Sequence, residues 1–254
     1  MSAPQVSALV VAHNEEARLA ACLERLKFAG EIVVVLDRSS DRSEEIALRF
    51  TSRILKGAWE IEGDRRMAGI EFCRGPWVLE VDADEHVGEA LAQEIEATVR
   101  DSLHDIHEIP VDNYIGDRLV RYGWGASFGR AAYAGLFRKG AKTWGRERVH
   151  PKLNFKGGKG PRLKNPIQHY VDRDIADMIG RLNRYTSLRA MDLRQSGDPG
   201  SFAHNVRRIF SRFWKCYVAR QGYREGGYGF VIALCAGLYP ILSYLKATLD
   251  KERT

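Results

Sequence analysis

The chain has 254 residues, of which 44% are hydrophobic and 28% are charged, and these proportions are ordinary for a globular protein. They exclude a chain that is disordered over most of its length, and the length suits one large domain or one domain with an appendage. The formal net charge of +6 favours an anionic partner, such as a nucleotide, a phospholipid surface or a nucleic acid.

The cysteines and the apolar segments do not indicate a secreted or membrane-spanning protein. The four cysteines are scattered and form no CxxC pair, so we expect free thiols in a reducing cytoplasm. The N-terminal segment MSAPQVSALVVAHNEE has no basic start and soon reaches acidic residues, so it does not resemble a signal peptide. The longest apolar run, residues 228–245, is short for a membrane span and contains Pro240, which favours a buried or membrane-surface helix.

The first hundred residues alternate strand-like and helix-like segments. Residues 6–12, 31–37 and 77–82 are continuous apolar or β-branched runs, as expected for strands that are covered on both faces. Amphipathic segments follow them and predict helices, the first of which is expected to begin with Asn14 as its N-cap. This alternation is typical of an α/β fold with a parallel sheet.

Polar residues lie at the ends of three of the predicted strands. His13 and Asn14 follow the first strand, Asp37 ends the second, and Asp82 and Asp84 lie at the end of the third. Ligands of parallel α/β sheets bind beyond the carboxyl ends of the strands, so we expect these side chains to share one site. The paired carboxylates either form a solvated turn or bind a hard divalent cation, Mg²⁺ or Mn²⁺. The polar residues at the neighbouring strand ends favour the cation site.

A nucleotide bound at this edge would be held without the two common glycine loops. No GxGxxG follows the first strand, and GxxxxGK[ST] does not occur in the chain. The sequence therefore argues against a dinucleotide-binding domain and against a P-loop protein. The diphosphate of a nucleotide could still complete the shell of a cation that two carboxylates hold.

Three segments, ALVVAHNEEARLAACLERL, VVVLDRSSDRSEEIA and GPWVLEVDADE, resemble the family-2 glycosyltransferases with the GT-A fold. The later segments LFRKG, VHPKL, IQHY, GYREGGYGF and YLK are similar to a narrower branch, the bacterial lipopolysaccharide core glucosyltransferases. The resemblance covers nearly the whole chain and is most specific near its start. It implies a GT-A domain at residues 1–170, with a Rossmann-like mixed sheet flanked by helices, and a helical appendage at residues 171–254.

The resemblance implies a nucleoside-binding group at the first two strand ends. His13, Asn14, Glu15 and Asp37 match family positions that surround the nucleoside of a sugar nucleotide. The Asp37 carboxylate would accept hydrogen bonds from a base N–H group or from ribose hydroxyls. A UDP-hexose is the favoured donor.

A diphosphate- and metal-binding group is implied at the third strand end. Arg66 matches the basic position that approaches the diphosphate, and Arg65 is a neighbouring candidate. Asp82 would contact ribose or metal, and Asp84 would bind the cation. His169 would join the metal or the diphosphate, and a purely structural role for it stays open.

The resemblance does not identify the general base that an inverting transfer needs. Ser127 or its neighbours replace the Asp of the family pattern, and Pro151 stands where the family has Glu. A base must deprotonate the acceptor hydroxyl as it attacks the anomeric carbon, which proline cannot do. Glu147, His150 and Asp112 are the remaining candidates, with an ion pair to a neighbouring arginine as the alternative for Glu147.

The C-terminal region combines basic and aromatic residues at helical spacing. Between residues 205 and 248 there are seven Lys or Arg residues and one acidic residue. The segment VRRIFSRFWKCYVAR has the pattern of a helix that lies on an anionic lipid surface. Basic runs more often line a solvated face, and nucleic-acid binding would also explain the charge, but no helix-turn-helix, RRM or zinc-finger pattern supports it.

Taken together, the residues and the resemblance predict an enzyme associated peripherally with the cytoplasmic face of the bacterial inner membrane. It would transfer a hexose from a nucleotide sugar to a hydroxyl of a lipid-linked saccharide such as lipopolysaccharide core. Two alternatives stay open: a transferase that acts on a polyprenyl phosphate, and a non-catalytic subunit that binds sugar nucleotides. We predict no nucleic-acid partner, and the sequence leaves a homodimer open.

Overall fold

The computed structural model of the chain describes residues 5–124, 129–146 and 152–250. The chain forms two compact units: the first is Met1–Val111 with Ala132–His169, and the second is Asp112–Ala131 with Tyr170–Thr254. The division expected from the sequence, at residue 170, does not include residues 112–131 in the second unit. Strands β6 and β11, described below, each have residues in both units.

Four parallel strands form the first part of the sheet. They are β1 (Val6–Ala12), β2 (Glu31–Asp37), β3 (Ile54–Gly57) and β4 (Trp77–Asp82), in the spatial order β3-β2-β1-β4. The helices between them are α1 (Leu19–Glu24), α2 (Ser43–Leu48) and α3 (Glu62–Phe72). Because parallel strands point the same way, the carboxyl ends of β1, β2 and β4 lie at one edge of the sheet.

Antiparallel strands continue the sheet. The elements are β5 (Glu85–His86), α4 (Glu89–Asp101), β6 (Ile106–Ile115), β7 (Arg118–Val120), β8 (Ala132–Arg138), β9 (Lys142–Trp144), β10 (Leu153–Phe155) and β11 (Ile167–Asp172). Within the described ranges the sheet has nine strands, in the order β3-β2-β1-β4-β8-β6-β11-β5 with β7 paired to β6, while β9 and β10 form a separate antiparallel pair. The mixed sheet flanked by helices confirms the predicted α/β class.

Two apolar layers enclose the parallel strands. Val34 packs in the layer that contains Leu23 of α1, whereas Leu9 and Val35 pack in the layer that contains Ile70 of α3. Alternate residues of a strand face opposite sides of the sheet, so a strand covered on both sides is apolar at nearly every position. This explains why the continuous apolar runs predicted these strands.

The first helix begins later than the sequence predicts. It begins at Leu19, and turns occupy most of the residues between Asn14 and this helix. Asn14 has a left-handed backbone conformation with φ of 56°, which asparagine adopts more readily than most residues. Its side-chain oxygen accepts the N–H of Ser40, in the loop after β2, instead of capping a helix.

The second unit is mainly helical. It contains α5 (Ile175–Ser196), α6 (Phe202–Trp214) and α7 (Gly227–Leu249), with a π-helical turn at Lys215–Ala219 and a 3-10 turn at Gly222–Glu225. Asp174 caps α5 by accepting the N–H of Asp177, and Ser201 caps α6 by accepting the N–H of His204. The core of this unit contains Met178, Leu182, Cys216, Ile232 and Ala236.

Helix α7 is long and strongly apolar. Among the described residues it is the one helix long and apolar enough to cross a membrane. However, 56% of its most apolar window is buried within the chain, and the core helix of a soluble protein meets the same criteria. Pro240 lies inside this helix and is itself buried.

The substitution Gly237→Ala tests how closely α6 and α7 pack. A Cβ at Gly237 would lie 2.8 Å from the carbonyl oxygen of Ile209 on α6, a backbone atom that cannot move without its helix. We expect the free energy of unfolding to fall by about 1–3 kcal/mol, the usual cost of overpacking, as measured by urea denaturation.

Gly180→Ala is the matched control, because Gly180 lies inside α5 and a Cβ there meets nothing within 4 Å. Alanine favours a helix over glycine by about 1 kcal/mol, so this variant should be at least as stable as the parent. Equal stability of the two variants would contradict the close contact between α6 and α7.

Candidate active site at the carboxyl ends of the strands

Hydrogen bonds join the loop after β1 to the loop after β2. The His13 imidazole donates from Nδ1 to the carbonyl oxygen of Asp37 at 2.6 Å. The N–H of Glu15 donates to Ser43 Oγ at 3.0 Å, in addition to the Asn14 side-chain bond described above. The structure therefore brings His13, Asn14 and Glu15 to the same edge of the sheet as Asp37. These are the residues that the resemblance implied for nucleoside binding.

The Asp37 carboxylate is buried, with 2% of the residue exposed. Its Oδ1 accepts from the N–H of Trp59 at 3.0 Å and from Arg38 Nε at 3.2 Å, and its Oδ2 accepts from Arg65 Nη1 at 3.1 Å and Arg38 Nη2 at 3.4 Å. Burial alone raises the pKa of Asp37, but these donors outweigh it and hold the pKa below its ordinary value. A carboxylate has about four acceptor positions, so Asp37 here positions two arginines, whereas the resemblance implied direct hydrogen bonds to a nucleoside.

Arg65 and Arg66 are neighbours on α3 but pair with different carboxylates. Arg66 donates from Nη2 to Asp82 Oδ1 at 2.8 Å and from Nε to Glu62 Oε1 at 2.9 Å, whereas Arg65 pairs with Asp37. Burial lowers the pKa of Arg66, but the surrounding carboxylates, Asp82 first, raise it above its ordinary value. Arg66 is therefore a permanent cation that holds Asp82 at the end of β4.

Glu85 shapes the turn that follows β4. This residue is fully buried, and its Oε2 accepts from the N–H of Asp82 at 3.0 Å. The hydroxyl of Tyr133 on β8 lies 3.0 Å from the same oxygen and 2.9 Å from the carbonyl oxygen of Glu80. A carboxylate buried in this way fixes the backbone around Asp82 and Asp84 and is not open to an acceptor.

Asp84 lies between two basic side chains. Arg18 Nη1 and His169 Nε2 are each 3.6 Å from Asp84 Oδ2, and 25% of the Asp84 side chain is exposed. His169 reaches this position because it is paired with Glu85 where β11 lies beside β5. The structure thus joins two residues, Asp84 and His169, that are far apart in the sequence.

Sequence reasoning did not identify Arg18 as part of the site. The residue directly precedes α1, at the end of the loop that begins with His13. It is the one arginine in a loop that also contains Glu15 and Glu16, and a positive charge beside two acidic residues is the sequence signal that could have identified it.

No complete metal shell is formed by protein side chains alone in residues 5–124, 129–146 and 152–250. No group of three or more His, Cys, Asp or Glu side chains in these ranges could hold a metal ion. Of the three predicted ligands, Asp84 and His169 lie together, while Asp82 is bonded to Arg66.

A buried ion pair lies beneath the acidic turn. Lys142 on β9 bonds to the carboxylate of Glu80 on β4, and Lys142 also donates to the carbonyl oxygen of Ala134 at 2.9 Å. The Trp144 indole N–H donates to Glu80 Oε1 at 2.9 Å, and its ring lies 4.8 Å from Lys142 Nζ and 4.7 Å from the Arg66 guanidinium. Through the ring of Trp144 this buried group contacts Arg66, and no sequence pattern predicted that contact.

The two predicted catalytic residues, Glu147 and His150, lie outside the described residues. The same holds for Ser127 and Pro151, where the sequence departs from the family pattern. The distances given above therefore concern only the residues that the resemblance implied for the nucleotide sugar and the metal.

Comparisons with known proteins find similarity to glycosyltransferases. The model of the family described as "Glycosyl transferase family 2" matches residues 7–122. The "Lipopolysaccharide core biosynthesis glycosyltransferase LpsC" of Rhizobium meliloti (strain 1021) is 24% identical over 254 residues, covering 95% of this chain and 91% of that protein. An uncharacterized glycosyltransferase of Rickettsia typhi is 26% identical over 237 residues, covering 89% of this chain and 81% of that protein.

Solved structures of S. aureus TarS have a similar fold. One gives a TM-score of 0.51 at 13% identity and covers 88% of this chain and 46% of that longer chain. TarS 1–349 in complex with UDP gives a TM-score of 0.50 at 14% identity, covering 87% of this chain and 75% of that chain. At such identities the likeness shows the fold, and it agrees with the predicted GT-A class.

The substitution Asp37→Asn tests the carboxylate that holds the second strand end. We expect it to lower the free energy of unfolding at pH 7 by about 1–3 kcal/mol, because donors around Asp37 lose a charged acceptor. The pKa of Asp37 is lowered on folding, so its carboxylate stabilises the fold above an unfolded pKa of about 3.9, and this contribution is lost as pH falls through the folded pKa. The gap between parent and variant in urea denaturation should therefore shrink below about pH 4.

Asp101→Asn is the control, because 71% of the Asp101 side chain is exposed. Its effect should stay within about 0.5 kcal/mol at every pH. A gap between parent and Asp37→Asn that does not change with pH would contradict the role assigned to the ionised carboxylate.

Proposed function

We propose that this chain, which matches the model of glycosyl transferase family 2 over residues 7–122, is a glycosyltransferase that moves a hexose from a nucleotide sugar to a hydroxyl of a lipid-linked saccharide. The donor in this proposal is a UDP-hexose, and the transfer depends on a divalent cation and inverts the anomeric configuration. The observation that supports it most is the position of Asp84, with Arg18 and His169 each 3.6 Å from its carboxylate.

The side chains at Asp84 fit a hard divalent cation, Mg²⁺ or Mn²⁺. Oxygen and imidazole ligands lie about 2.1 Å from such an ion, so neighbouring ligand atoms are about 3 Å apart. The 3.6 Å between Asp84 Oδ2 and His169 Nε2 is close to this spacing. Two protein ligands suffice where phosphates of the substrate complete the shell, as is usual for Mg²⁺. When bound, the cation would stabilise the charge on the leaving nucleoside diphosphate.

The arginines at this edge would hold the diphosphate of the donor. Arg18 has 29% of its side chain exposed beside Asp84, so its guanidinium is open to an anion. Arg66 keeps its positive charge at the end of β4, and Arg65 adds another beside Asp37. Fixed positive groups that need no rearrangement favour the departure of an anionic leaving group.

The nucleoside would lie against the loops after β1 and β2. His13 and Asn14 are exposed there, while Asp37 would act by fixing Arg38 and Arg65 rather than by touching the base or ribose. The TarS structure described above is a complex with UDP, and we propose a uridine nucleotide for this chain as well.

The acceptor we propose is of the lipopolysaccharide core type. The relative from Rhizobium meliloti carries that activity in its name and matches 95% of this chain. Glu147 and His150 remain the proposed candidates for the base that activates the acceptor hydroxyl. We place the enzyme at the cytoplasmic face of the inner membrane, with residues 1–170 holding the donor and residues 171–254 facing the membrane or a partner.

A thermal-shift experiment tests the donor and the cation together. The melting temperature is measured with UDP-, GDP- and dTDP-hexoses, each with and without Mn²⁺. Ligand at about 100 times its dissociation constant stabilises the native state by about 2.7 kcal/mol, which raises the melting temperature by a few degrees. We expect this rise with a UDP-hexose and Mn²⁺, and we expect Asp84→Asn to lose the part that needs Mn²⁺.

Asp101→Asn again serves as the control and should keep the full shift, because this exposed carboxylate lies on α4 away from the strand ends. If none of the three nucleotide sugars stabilises the protein in a metal-dependent way, the proposed donor site is wrong.

The substitution Glu147→Ala separates the two classes of acceptor. If Glu147 is the base for a hydroxyl acceptor, kcat should fall by about 10²–10⁴-fold while the thermal shift with UDP-hexose and Mn²⁺ stays unchanged. His150→Ala tests the second candidate in the same way. Full activity of Glu147→Ala toward a polyprenyl phosphate would favour that acceptor instead, because an ionised phosphate oxygen needs no base.

A further inference from the structure

The outer face of α6 carries large apolar side chains that the rest of the described chain does not cover. Phe210 is 72% exposed and Trp214 is 64% exposed, one helical turn apart. Arg207 lies one turn before them and Val218 one turn after them, and both are exposed. We call these four residues, three on α6 and Val218 in the π-helical turn that follows it, the α6 outer face.

The opposite face of α6 is already used by the fold. Ile209 lies against α7, where Gly237 lets the two helices approach closely. Phe213 packs edge-on against Phe230 at 5.6 Å between ring centroids, and Tyr217 does so at 6.0 Å. Because the other face of α6 already packs on α7, the α6 outer face is not needed for the core of this unit.

Phe230 extends the exposed aromatic surface from α6 onto the start of α7. Its ring is held by Phe213 and Tyr217, yet 48% of the residue is exposed. Tyr223, which lies 6.4 Å from Tyr217 between ring centroids, is 53% exposed. Aromatic side chains of this kind are enriched where a protein meets the headgroup region of a membrane.

Positive charge surrounds this surface without matching acids. Residues 207–224 contain six Lys or Arg residues and no Asp or Glu. In the described part of the chain, no Asp or Glu carboxylate forms an ion pair with Arg207, Arg208, Arg212 or Lys215. Burial lowers the pKa of Arg208, and repulsion from Arg212 and Arg189 lowers it further, so these cations are crowded together.

Glu225, the acidic residue that follows this basic segment, has other partners. Glu225 is buried, and it accepts from the backbone N–H groups of Arg121 and Tyr122 at 2.8 and 3.0 Å. Arg118 lies 3.5 Å from its second oxygen. Glu225 therefore does not neutralise the basic residues around the α6 outer face.

We infer that the α6 outer face docks on an anionic lipid bilayer, with Phe210 and Trp214 at the level of the headgroups and the basic side chains against lipid phosphates. Aromatic residues surrounded by uncompensated cations fit such a surface, whereas the centre of a protein–protein interface is depleted of charge. The inference rests on the proposed lipid-linked acceptor, since an enzyme for that acceptor meets the bilayer. Its test does not need transfer activity.

Vesicle sedimentation tests the inference directly. The full chain is mixed with vesicles of phosphatidylcholine alone or of phosphatidylcholine with phosphatidylglycerol, and the bound fraction is measured at low and high salt. We expect binding to the anionic vesicles that weakens with salt. The double variant Phe210→Ser with Trp214→Ser, and the double variant Arg207→Glu with Lys215→Glu, should each weaken binding by about tenfold or more.

Two double variants in the first unit are the controls. Leu48→Ser with Leu103→Ser removes two exposed apolar side chains, which are 60% and 95% exposed. Lys156→Glu with Lys159→Glu makes the same change of charge on exposed residues. Both should bind anionic vesicles as the parent does.

Quenching of tryptophan fluorescence tests the orientation of the α6 outer face separately from the amount of protein bound. Brominated phosphatidylcholine in the anionic vesicles should quench Trp214, and the substitution Trp214→Phe should remove most of that quenching while sedimentation persists. Retained quenching in this variant would overturn the assigned orientation.

Other results would overturn the docking surface. Absence of binding to anionic vesicles, or equal loss in the control variants, contradicts it. Self-association of the parent that Phe210→Ser with Trp214→Ser abolishes would assign the face to a second copy instead. The protein could show the metal-dependent thermal shift with UDP-hexose and yet fail to bind anionic vesicles. That result would refute the docking surface alone and would not contradict the proposed function.

Discussion

The rest of the site depends on how four carboxylates are compensated at residues 80–85. Glu80, Asp82, Asp84 and Glu85 lie within six positions, and unpaired they would repel one another strongly at the end of a buried strand. The chain assigns donors to each from different elements. These donors are Lys142 and Trp144 for Glu80, Arg66 for Asp82, Tyr133 and a backbone N–H for Glu85, and Arg18 with His169 for Asp84.

The compensation is graded from the core to the edge of the sheet. Glu80 is buried with direct partners, and Arg66 donates to Asp82 at 2.8 Å, whereas both basic groups beside Asp84 stay at 3.6 Å. Of the four carboxylates, Asp84 thus has the longest distances to its donors, and 25% of its side chain is exposed. A carboxylate in that position gains most from an added cation, which distinguishes it from Asp82 two residues earlier.

The sequence predicts the parts of the fold that repeat a local pattern. Buried parallel strands are apolar at nearly every position, so the sequence alone predicts β1, β2 and β4, and the acidic residues that end two of them lie at the same edge of the sheet. The predicted start of α1 at Asn14 was wrong, because the Asn14 side chain accepts a hydrogen bond from the loop after β2 and does not cap the helix. Arg18 and Lys142 were missed because their roles come from contacts with Asp84 and Glu80 that lie far away in the chain, which spacing cannot reveal.

We propose that the end of β4 binds a divalent cation together with the diphosphate of a nucleotide. An anomalous difference map from crystals grown with Mn²⁺ and UDP measures this most directly, because the manganese signal gives the position of the ion without reference to activity. We expect a peak about 2.1 Å from an oxygen of Asp84 and a nitrogen of His169. A manganese peak elsewhere in the chain, or none at all beside bound UDP, would contradict it.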